Sequence, residues 1–313
     1  LDKKKKEMKK KVLITGSCGF VMGNFLRKAI YERAAYNFVS IDRVNSNVIN
    51  SMYWNKNHIF HVADIRDRHV LDIIFQFEKP DIVIHGASET MDINNFTTSN
   101  FVGTQNIIDA CVKHNVERLI YTSTDAVYQA STNPIDESSP INPKTLYAAT
   151  KAAGELLIKA ASQTYGLKYN ITRAATNYGP RQMSNHLIPS AIKSILNSQN
   201  MAIDTKATSD WTHVFDYCSA ILTILENGVS NETYNVAANQ EFSNIEVLQK
   251  ICTSMNKPDA LSLFADDSEA ASESAKLLNT DKTKSIGWKP HYKLKDGIVG
   301  TTEWYTNNQW FLK

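Results

Sequence analysis

Through its first 175 residues the chain repeats one pattern: a short apolar run, a polar or small residue, then a helical periodicity. The runs are Lys11–Thr15, Asn37–Ile41, Ile59–Val62, Asp81–His85, Glu117–Tyr121 and Tyr169–Arg173. Strands alternating with helices imply right-handed βαβ crossovers and a parallel sheet. The expected class is therefore α/β, a doubly wound parallel sheet, and ligands of such sheets bind beyond the carboxyl ends of the strands. After about residue 175 the rhythm breaks into shorter mixed elements. These are a helix near Pro189–Leu196, strands around Met201–Asp204 and Thr212–Val214, a helix from Asp216 and one opened by Ser243.

The first strand-to-helix turn is Gly16-Ser-Cys-Gly19-Phe20. Glycines there let backbone approach a pyrophosphate at a helix N-terminus, where N–H groups and the helix dipole favour an anion. Asp42 ends the second run, at the spacing of a carboxylate that accepts from an adenosine ribose 2′-hydroxyl. A tight turn followed by an ordinary aspartate is the plainer alternative, and the conjunction favours dinucleotide binding. The usual third glycine falls at Met22, with Gly23 one place late. Arg43 is a residue type that accepts a 2′-phosphate, whereas Asp42 repels one, so NAD is the expected cofactor. Asp64 and Ile65 follow the third run as neighbours of the adenine; Gly86, Ala87 and Ser88 follow the fourth.

The fifth run leads through Thr122 into Thr124-Asp125, and a helical pattern then carries Tyr147-Ala-Ala-Thr-Lys151. Asn142 is the expected cap of that helix, with Pro143 in its first turn. Residues at i and i+4 share a helix face, so Tyr147 and Lys151 fall on one side. A nearby cation lowers a tyrosine pKa and fits it to take a proton. Asp125 offers a carboxyl for a second proton transfer. Either half alone is weak: Tyr-x-x-x-Lys arises by chance, and an aspartate often ends a strand.

The 313 residues, 42% hydrophobic and 21% charged, suit one large or two ordinary domains. Residues 1–11 hold seven lysines against Asp2 and Glu7, which leaves 27 Lys and Arg against 30 Asp and Glu elsewhere. That mildly acidic body argues against nucleic acid as a partner. The expected organisation is a disordered basic tail over residues 1–10 and an NAD-binding Rossmann domain over 11–175. A smaller mixed α/β substrate lobe covers 176–313, with some segments returning to the first domain. Cys18, Cys111, Cys218 and Cys252 lack metal or disulfide spacing. No membrane span or signal peptide is visible, so a cytoplasmic protein is expected. His61 and His85 lie in strand runs and read as core histidines, and Trp304 and Tyr305 as helix packing.

These residues resemble the extended short-chain dehydrogenase/reductases that act on nucleotide sugars, over nearly the whole chain. The resemblance rests on Thr15-Gly-Ser-Cys-Gly-Phe20, Asp42, Asp64-Ile-Arg-Asp67, His85-Gly-Ala87, Asn100 with Gly103-Thr104, Ser123-Thr-Asp125 and Tyr147-x-x-x-Lys151. It continues through Asn177-Tyr-Gly-Pro-Arg181, Leu187-Ile-Pro189, Leu278-Asn-Thr-Asp281 and Gly287-Trp-Lys-Pro290. Ser-Thr-Asp at a strand end is similar to the 4,6-dehydratases of dTDP- and UDP-hexoses. The resemblance implies NAD contacts at Gly16, Cys18, Gly19, Phe20, Val21, Asp42, Asp64, Ile65, Gly86, Ala87, Ser88, Thr122, Tyr147 and Lys151. It implies catalysis by Thr124, Asp125, Tyr147 and Lys151, and no metal. Contacts to a nucleotide-diphosphate sugar are implied at Glu89, Asn177, Arg181, Leu187, Ile188 and Lys276. A homodimer through helices Asn100–Lys113 and Thr145–Tyr165 is also implied.

Three departures bear on the substrate. Ala126 stands where the dTDP-glucose enzymes carry the glutamate that acts at C5, so Asp125 serves twice, or Glu89, Tyr128 or a water acts. That gap opens the reading of a UDP-N-acetylglucosamine 4,6-dehydratase with 5-epimerase character. Ser209-Asp210-Trp211 replaces the family's Arg-Asp-Trp, and the arginine cluster expected around Ser272–Lys276 is absent. Alternatives in other classes are a UDP-sugar 4-epimerase or 4-reductase and a non-catalytic dinucleotide-binding protein.

Overall fold

A computed structural model describes residues 9–32, 35–43, 58–90, 92–267 and 276–312. The expected tail at residues 1–10 falls outside these up to residue 8, and so do Ser272 and its neighbours up to 275. The elements in order begin β1 (Lys10–Thr15), α1 (Phe20–Glu32), β2 (Tyr36–Asp42), β3 (His58–Val62), α2 (Arg68–Glu78), β4 (Ile82–His85) and α3 (Ile93–Asn95). A π-helical segment, Phe96–Val102, runs into α4 (Gly103–Lys113), followed by β5 (Arg118–Thr124), α5 (Leu146–Tyr165) and β6 (Tyr169–Ala174). Then come β7 (Thr176–Tyr178), α6 (Leu187–Asn197), β8 (Met201–Ile203), β9 (Thr208–His213) and α7 (Val214–Asn227). The chain closes with β10 (Glu232–Val236), β11 (Glu241–Ser243), α8 (Asn244–Ser254), β12 (Phe264–Asp266), α9 (Asp281–Ser285) and α10 (Leu294–Asn307).

The main sheet has seven strands in the order β10-β6-β5-β4-β1-β2-β3. Pairings β1–β2, β1–β4, β2–β3 and β4–β5 are parallel. Chain order reverses at β1, which lies between β2 and β4; this is the switch point where doubly wound sheets bind dinucleotides. Register brings the strand ends level: Thr15 pairs with Ile41 and His85, and His85 with Tyr121. Gly16, Asp42 and Gly86 therefore come level at one rim, with Thr122 next after Tyr121 on β5.

Contacts divide the chain into two interleaved units. One comprises Leu1–Ser123, Pro143–Thr172 and Gly228–Thr233; the other Thr124–Asn142, Arg173–Asn227 and Tyr234–Lys313. The sequence suggests a single main boundary near residue 175, whereas Thr124–Asn142 groups with the second unit. The first unit packs its sheet and helices around Leu13, Val39, Leu71, Phe75, Val83, Ile107 and Leu119, all at 1% exposure or less. The second carries a three-stranded sheet, β11-β9-β7, and a two-stranded one, β12-β8. Its core gathers Ile192, Val247, Ile251, Ile298 and Tyr305. Ser243 opens α8 through a capping box with Glu246, which satisfies two backbone donors reciprocally.

The start of α5 differs from expectation. Thr145, not Asn142, is its N-cap, accepting from the Ala148 N–H. Asn142 instead donates its backbone N–H to the Val127 carbonyl, beside a bridge between Tyr128 and Ile141. That pairing holds the segment extended and takes Pro143 out of the helix. Two asparagine- or threonine-type caps stood within four residues, and β-bridging selected the later one. The expected helix from Asn100 also differs: its first turn lies in the π-helical segment, and the α-helix starts at Gly103.

Candidate active site

The glycine turn after β1 is tight. Gly16 has φ +76°, and a Cβ there would lie 2.7 Å from the Ala87 backbone, so only glycine fits the left-handed conformation at this approach. The turn delivers Phe20 and Val21 to the first turn of α1. Asp42 closes the turn from β2, accepting from the Cys18 N–H at 2.6 Å and the Arg43 N–H at 2.7 Å. Burial nonetheless pushes the Asp42 pKa up, against those two bonds. Ser17 is fully buried, and its hydroxyl has no partner among the described residues. A close-packed glycine turn, a helix N-terminus and a rim carboxylate fit a pyrophosphate and an adenosine ribose.

Met22 fills the place of the third glycine and is 2% exposed. A Cβ at position 86 would lie 2.3 Å from the Met22 Cγ, so Gly86 makes room for it. Asp64 pairs with Arg66 at 2.6 Å, and Arg66 holds its carboxyl below the usual range despite opposing burial. Ile65 is buried under Gly103. Thr122 donates to the His85 carbonyl at 3.3 Å. The His85 ring lies between the Thr15 and Thr104 hydroxyls at 2.6 and 2.9 Å. Burial and the Lys151 charge lower its pKa to about 3, so it stays neutral and structural; His61, read as a core histidine, is instead part-exposed and bonded to Glu78 at 2.8 Å.

Tyr147 and Lys151 both lie on α5. Tyr147 meets Phe96 edge-on with ring centroids 6.2 Å apart. Lys151 is 2% exposed, and its ammonium lies 4.2 Å from the Tyr121 ring centroid. Burial lowers the Lys151 pKa to about 7, while Glu155 raises it. Glu155 is fully buried and accepts from the Ser123 hydroxyl at 2.6 Å. Gly154 leaves space for the Tyr121 hydroxyl, which would lie 2.5 Å from a Cβ. Burial thus favours the neutral amine, Glu155 opposes it, and Gly154 makes room for the Tyr121 side chain beside Lys151. The i+4 spacing of Glu155 from Lys151 carried that signal in the sequence.

Ser88 and Glu89 follow β4 and are held by Asn100. Its Oδ1 accepts from the Ser88 hydroxyl at 3.3 Å and the Glu89 N–H at 2.6 Å. The Glu89 carboxylate accepts from the Thr90 and Asp92 N–H groups of its own loop and from Arg43, after β2, at 3.4 Å.

In the second unit, Thr124 ends β5 and accepts from the Ala126 N–H while donating to Asp125 Oδ1, both at 3.2 Å. Burial raises the Asp125 pKa, against the lowering influence of Lys276 and Thr124. Asp210 is 4% exposed. Burial raises its pKa to about 6, bonds from Gln240 and Thr212 lower it, and the Asp125 charge raises it further. Asp125, Lys276 and Asp210 therefore form one electrostatic group. The sequence names Asp210 only within Ser209-Asp210-Trp211, ahead of the strand expected around Thr212–Val214, and gives it no role; the strand in fact spans Thr208–His213 and buries it.

Tyr128 is held away from acid–base work. Its hydroxyl donates to Asn235 at 2.7 Å, Arg173 lies over its ring, and burial pushes its pKa up to about 12. Asn177 donates to the Ala175 carbonyl at 3.1 Å. Arg181 has φ +70°, lies 5.0 Å from the Trp304 ring centroid, and burial lowers its pKa. Leu187 opens α6, and Ile188 packs in the core with Ala191 and Ile192. No cluster of His, Cys, Asp and Glu able to hold a metal occurs among the described residues.

Fold and site together define an NAD-dependent enzyme of the extended short-chain dehydrogenase/reductase class. Residues 12–237 match the model of the NAD dependent epimerase/dehydratase family, and the chain belongs to that family. It is 32% identical to a dTDP-glucose 4,6-dehydratase from Xanthomonas campestris, over 96% of this chain and 94% of the relative. The solved structure of a dTDP-glucose 4,6-dehydratase from Streptomyces venezuelae with NAD bound superposes with a TM-score of 0.88. It is 28% identical and covers 97% of this chain and 99% of that one. A UDP-N-acetylglucosamine 4-epimerase from Methanobrevibacter ruminantium gives 0.84 at 25% identity, covering 96% of this chain and 100% of that one.

Proposed function

We propose that this protein is a nucleotide-sugar 4,6-dehydratase, converting the hexose of a nucleoside diphosphate sugar to its 4-keto-6-deoxy form. The observation that carries this reading is Asp125, a carboxyl that burial holds toward its protonated form directly after Thr124. Expelling a 6-hydroxyl as water needs such an acid, and an acid of raised pKa works best near neutral pH. Bound NAD supplies a hydride acceptor at C4 and a hydride donor at C6, which makes the reaction redox-neutral. Tyr147 takes the proton of the 4-hydroxyl, and Lys151 in its cationic form lowers the tyrosine pKa. Thr124 orients Asp125 through its hydroxyl. Once C4 is a ketone its neighbour C5–H is acidic; loss of that proton and delivery of one from Asp125 to the 6-hydroxyl release water.

Ala126 supplies no base for C5. Tyr128 is committed to Asn235 and Glu89 to Arg43. Asp210, coupled to Asp125, is the group we assign to hold the C5 proton. Lys276 and Arg181 meet the diphosphate, with Asn177, Leu187 and Ile188 bordering the sugar-nucleotide path. Residues 11–175 serve mainly the cofactor and 176–313 mainly the sugar nucleotide. The absence of a carboxylate at position 126 favours a second reading of the substrate, UDP-N-acetylglucosamine with inversion at C5.

Incubation with dTDP-glucose, UDP-glucose and UDP-N-acetylglucosamine, followed by mass spectrometry, tests both. Loss of one water from any of them supports the proposal. Unchanged mass with an altered sugar would make the protein a 4-epimerase, and inertness toward all three would remove the dehydratase reading.

Leu146 and Leu156 on α5, with Phe101 and Val102 beside α4, are large exposed apolar side chains, which mark an interaction surface. They support a homodimer, and Leu156→Glu should convert it to a monomer in size-exclusion chromatography with light scattering. Four free, buried cysteines suit a reducing compartment such as the cytoplasm. No helix among the described residues is long and apolar enough to cross a membrane.

A further inference from the structure

Arg43 directly follows Asp42 at the end of β2, and an arginine beside this carboxylate can accommodate the 2′-phosphate of NADP. Here its guanidinium has another partner. Arg43 Nη2 donates to Glu89 Oε2 at 3.4 Å, with the Glu89 side chain 17% exposed. Glu89 is itself fixed. Its Oε1 accepts from the Thr90 N–H at 3.0 Å and the Asp92 N–H at 3.3 Å. Its backbone is gripped from both sides by Asn100, which accepts its N–H at 2.6 Å and donates to its carbonyl at 2.9 Å. Asn100 is 1% exposed and is anchored in turn on the Thr150 hydroxyl at 3.0 Å. Arg66, after β3, is paired with Asp64 at 2.6 Å.

We propose that Glu89 determines cofactor selectivity, holding Arg43 away from a ribose 2′-phosphate so that the site takes NAD and rejects NADP. The inference rests on Asp42 as the ribose-binding carboxylate and reassigns Glu89 from the sugar to the cofactor. A 2′-phosphate would have to draw Arg43 out of its pair. It would also bring two further negative charges among Asp42, Asp64 and Glu89, and like charges disfavour one another strongly at such range. A 2′-hydroxyl asks for neither. Glu89 acts by an unfavourable element set against the wrong ligand, the usual second half of specificity.

Equilibrium titration of the whole protein with NADH and with NADPH tests this without any sugar, so failure of the dehydratase reading cannot imitate failure here. Glu89→Gln keeps an oxygen for the Thr90 and Asp92 N–H groups and removes the charge. It should tighten NADPH by about tenfold and change NADH by no more than about threefold. Adding Arg43→Ala to that variant should abolish the NADPH gain. Arg43→Gln alone should leave NADH affinity near wild type and NADPH no tighter. An unchanged NADPH to NADH ratio in Glu89→Gln would overturn the proposal. So would a gain that survives loss of Arg43, or tighter NADPH binding in Arg43→Gln.

Discussion

A Cβ at position 86 would fall 2.3 Å from the Met22 Cγ and 2.8 Å from its Sδ. The chain lacks a glycine where α1 normally passes close to the sheet, and it recovers the space by placing a glycine on β4's exit. Gly86→Ala should destabilise by about 1–3 kcal/mol through overpacking. Met22→Ala should cost about 2–3 kcal/mol as a cavity. The double variant should recover part of the sum, giving a coupling of at least about 1 kcal/mol. Urea unfolding of the four proteins measures it, and strict additivity would show that the two side chains are independent.

Lys151 predicts a pH dependence of stability. Its folded pKa is lowered by burial to about 7, below the usual lysine value. Below pH about 7 both folded and unfolded chains hold the proton, and the full cost of the buried cation is present. From about 7 toward the unfolded lysine value the unfolded chain holds more protons, so stability rises with pH. Lys151→Met should therefore be more stable than wild type at pH 6, by on the order of 3 kcal/mol, with the advantage shrinking toward pH 9. It should also lose turnover by at least about 100-fold. Thermal melts of the cofactor-free protein at the two pH values check the sign; a constant difference would refute the buried-cation account.

Asp125 and Asp210 predict separable defects. Asp125→Asn should slow water loss by about 100- to 10,000-fold while proton and hydride removal at C4 persist. The near-ultraviolet absorbance of reduced nicotinamide should then accumulate on mixing with substrate. Asp210→Asn should leave that first half intact and slow solvent deuterium incorporation at C5. It should also be the more stable protein above pH about 6, because the raised Asp210 pKa favours the protonated form. That cost is absent at low pH and grows as pH rises through about 6. If Asp210→Asn exchanged C5 at the wild-type rate, Asp210 would be a structural acid only.

Much of the site was legible because it sits where strands end. Gly16, Asp42 and Gly86 needed only the strand runs and the parallel topology to be placed on one rim, and the register of Thr15 with Ile41 and His85 brings them level. The His85 reading also held: two threonines satisfy both ring nitrogens. Less legible were features set by long-range contact. Thr145 displaced Asn142 as cap because Ile141 is bridged to Tyr128, although cap preference alone ranks asparagine above threonine. The π-helical segment before α4 has no residue signature of its own. Glu89 was placed at the sugar by resemblance, but its partner Arg43 lies 46 positions away. Asp210 gains its altered acidity chiefly from burial, with the Asp125 charge adding to it, and no local pattern reports either.

The central claim is an internal transfer of hydrogen from C4 to C6 with loss of water. A nucleotide hexose carrying deuterium at C4, incubated with the protein and analysed by nuclear magnetic resonance and mass spectrometry, tests it most directly. The account predicts a product lighter by one water with the deuterium in its C6 methyl group. Deuterium still at C4 in a sugar of unchanged mass would contradict it.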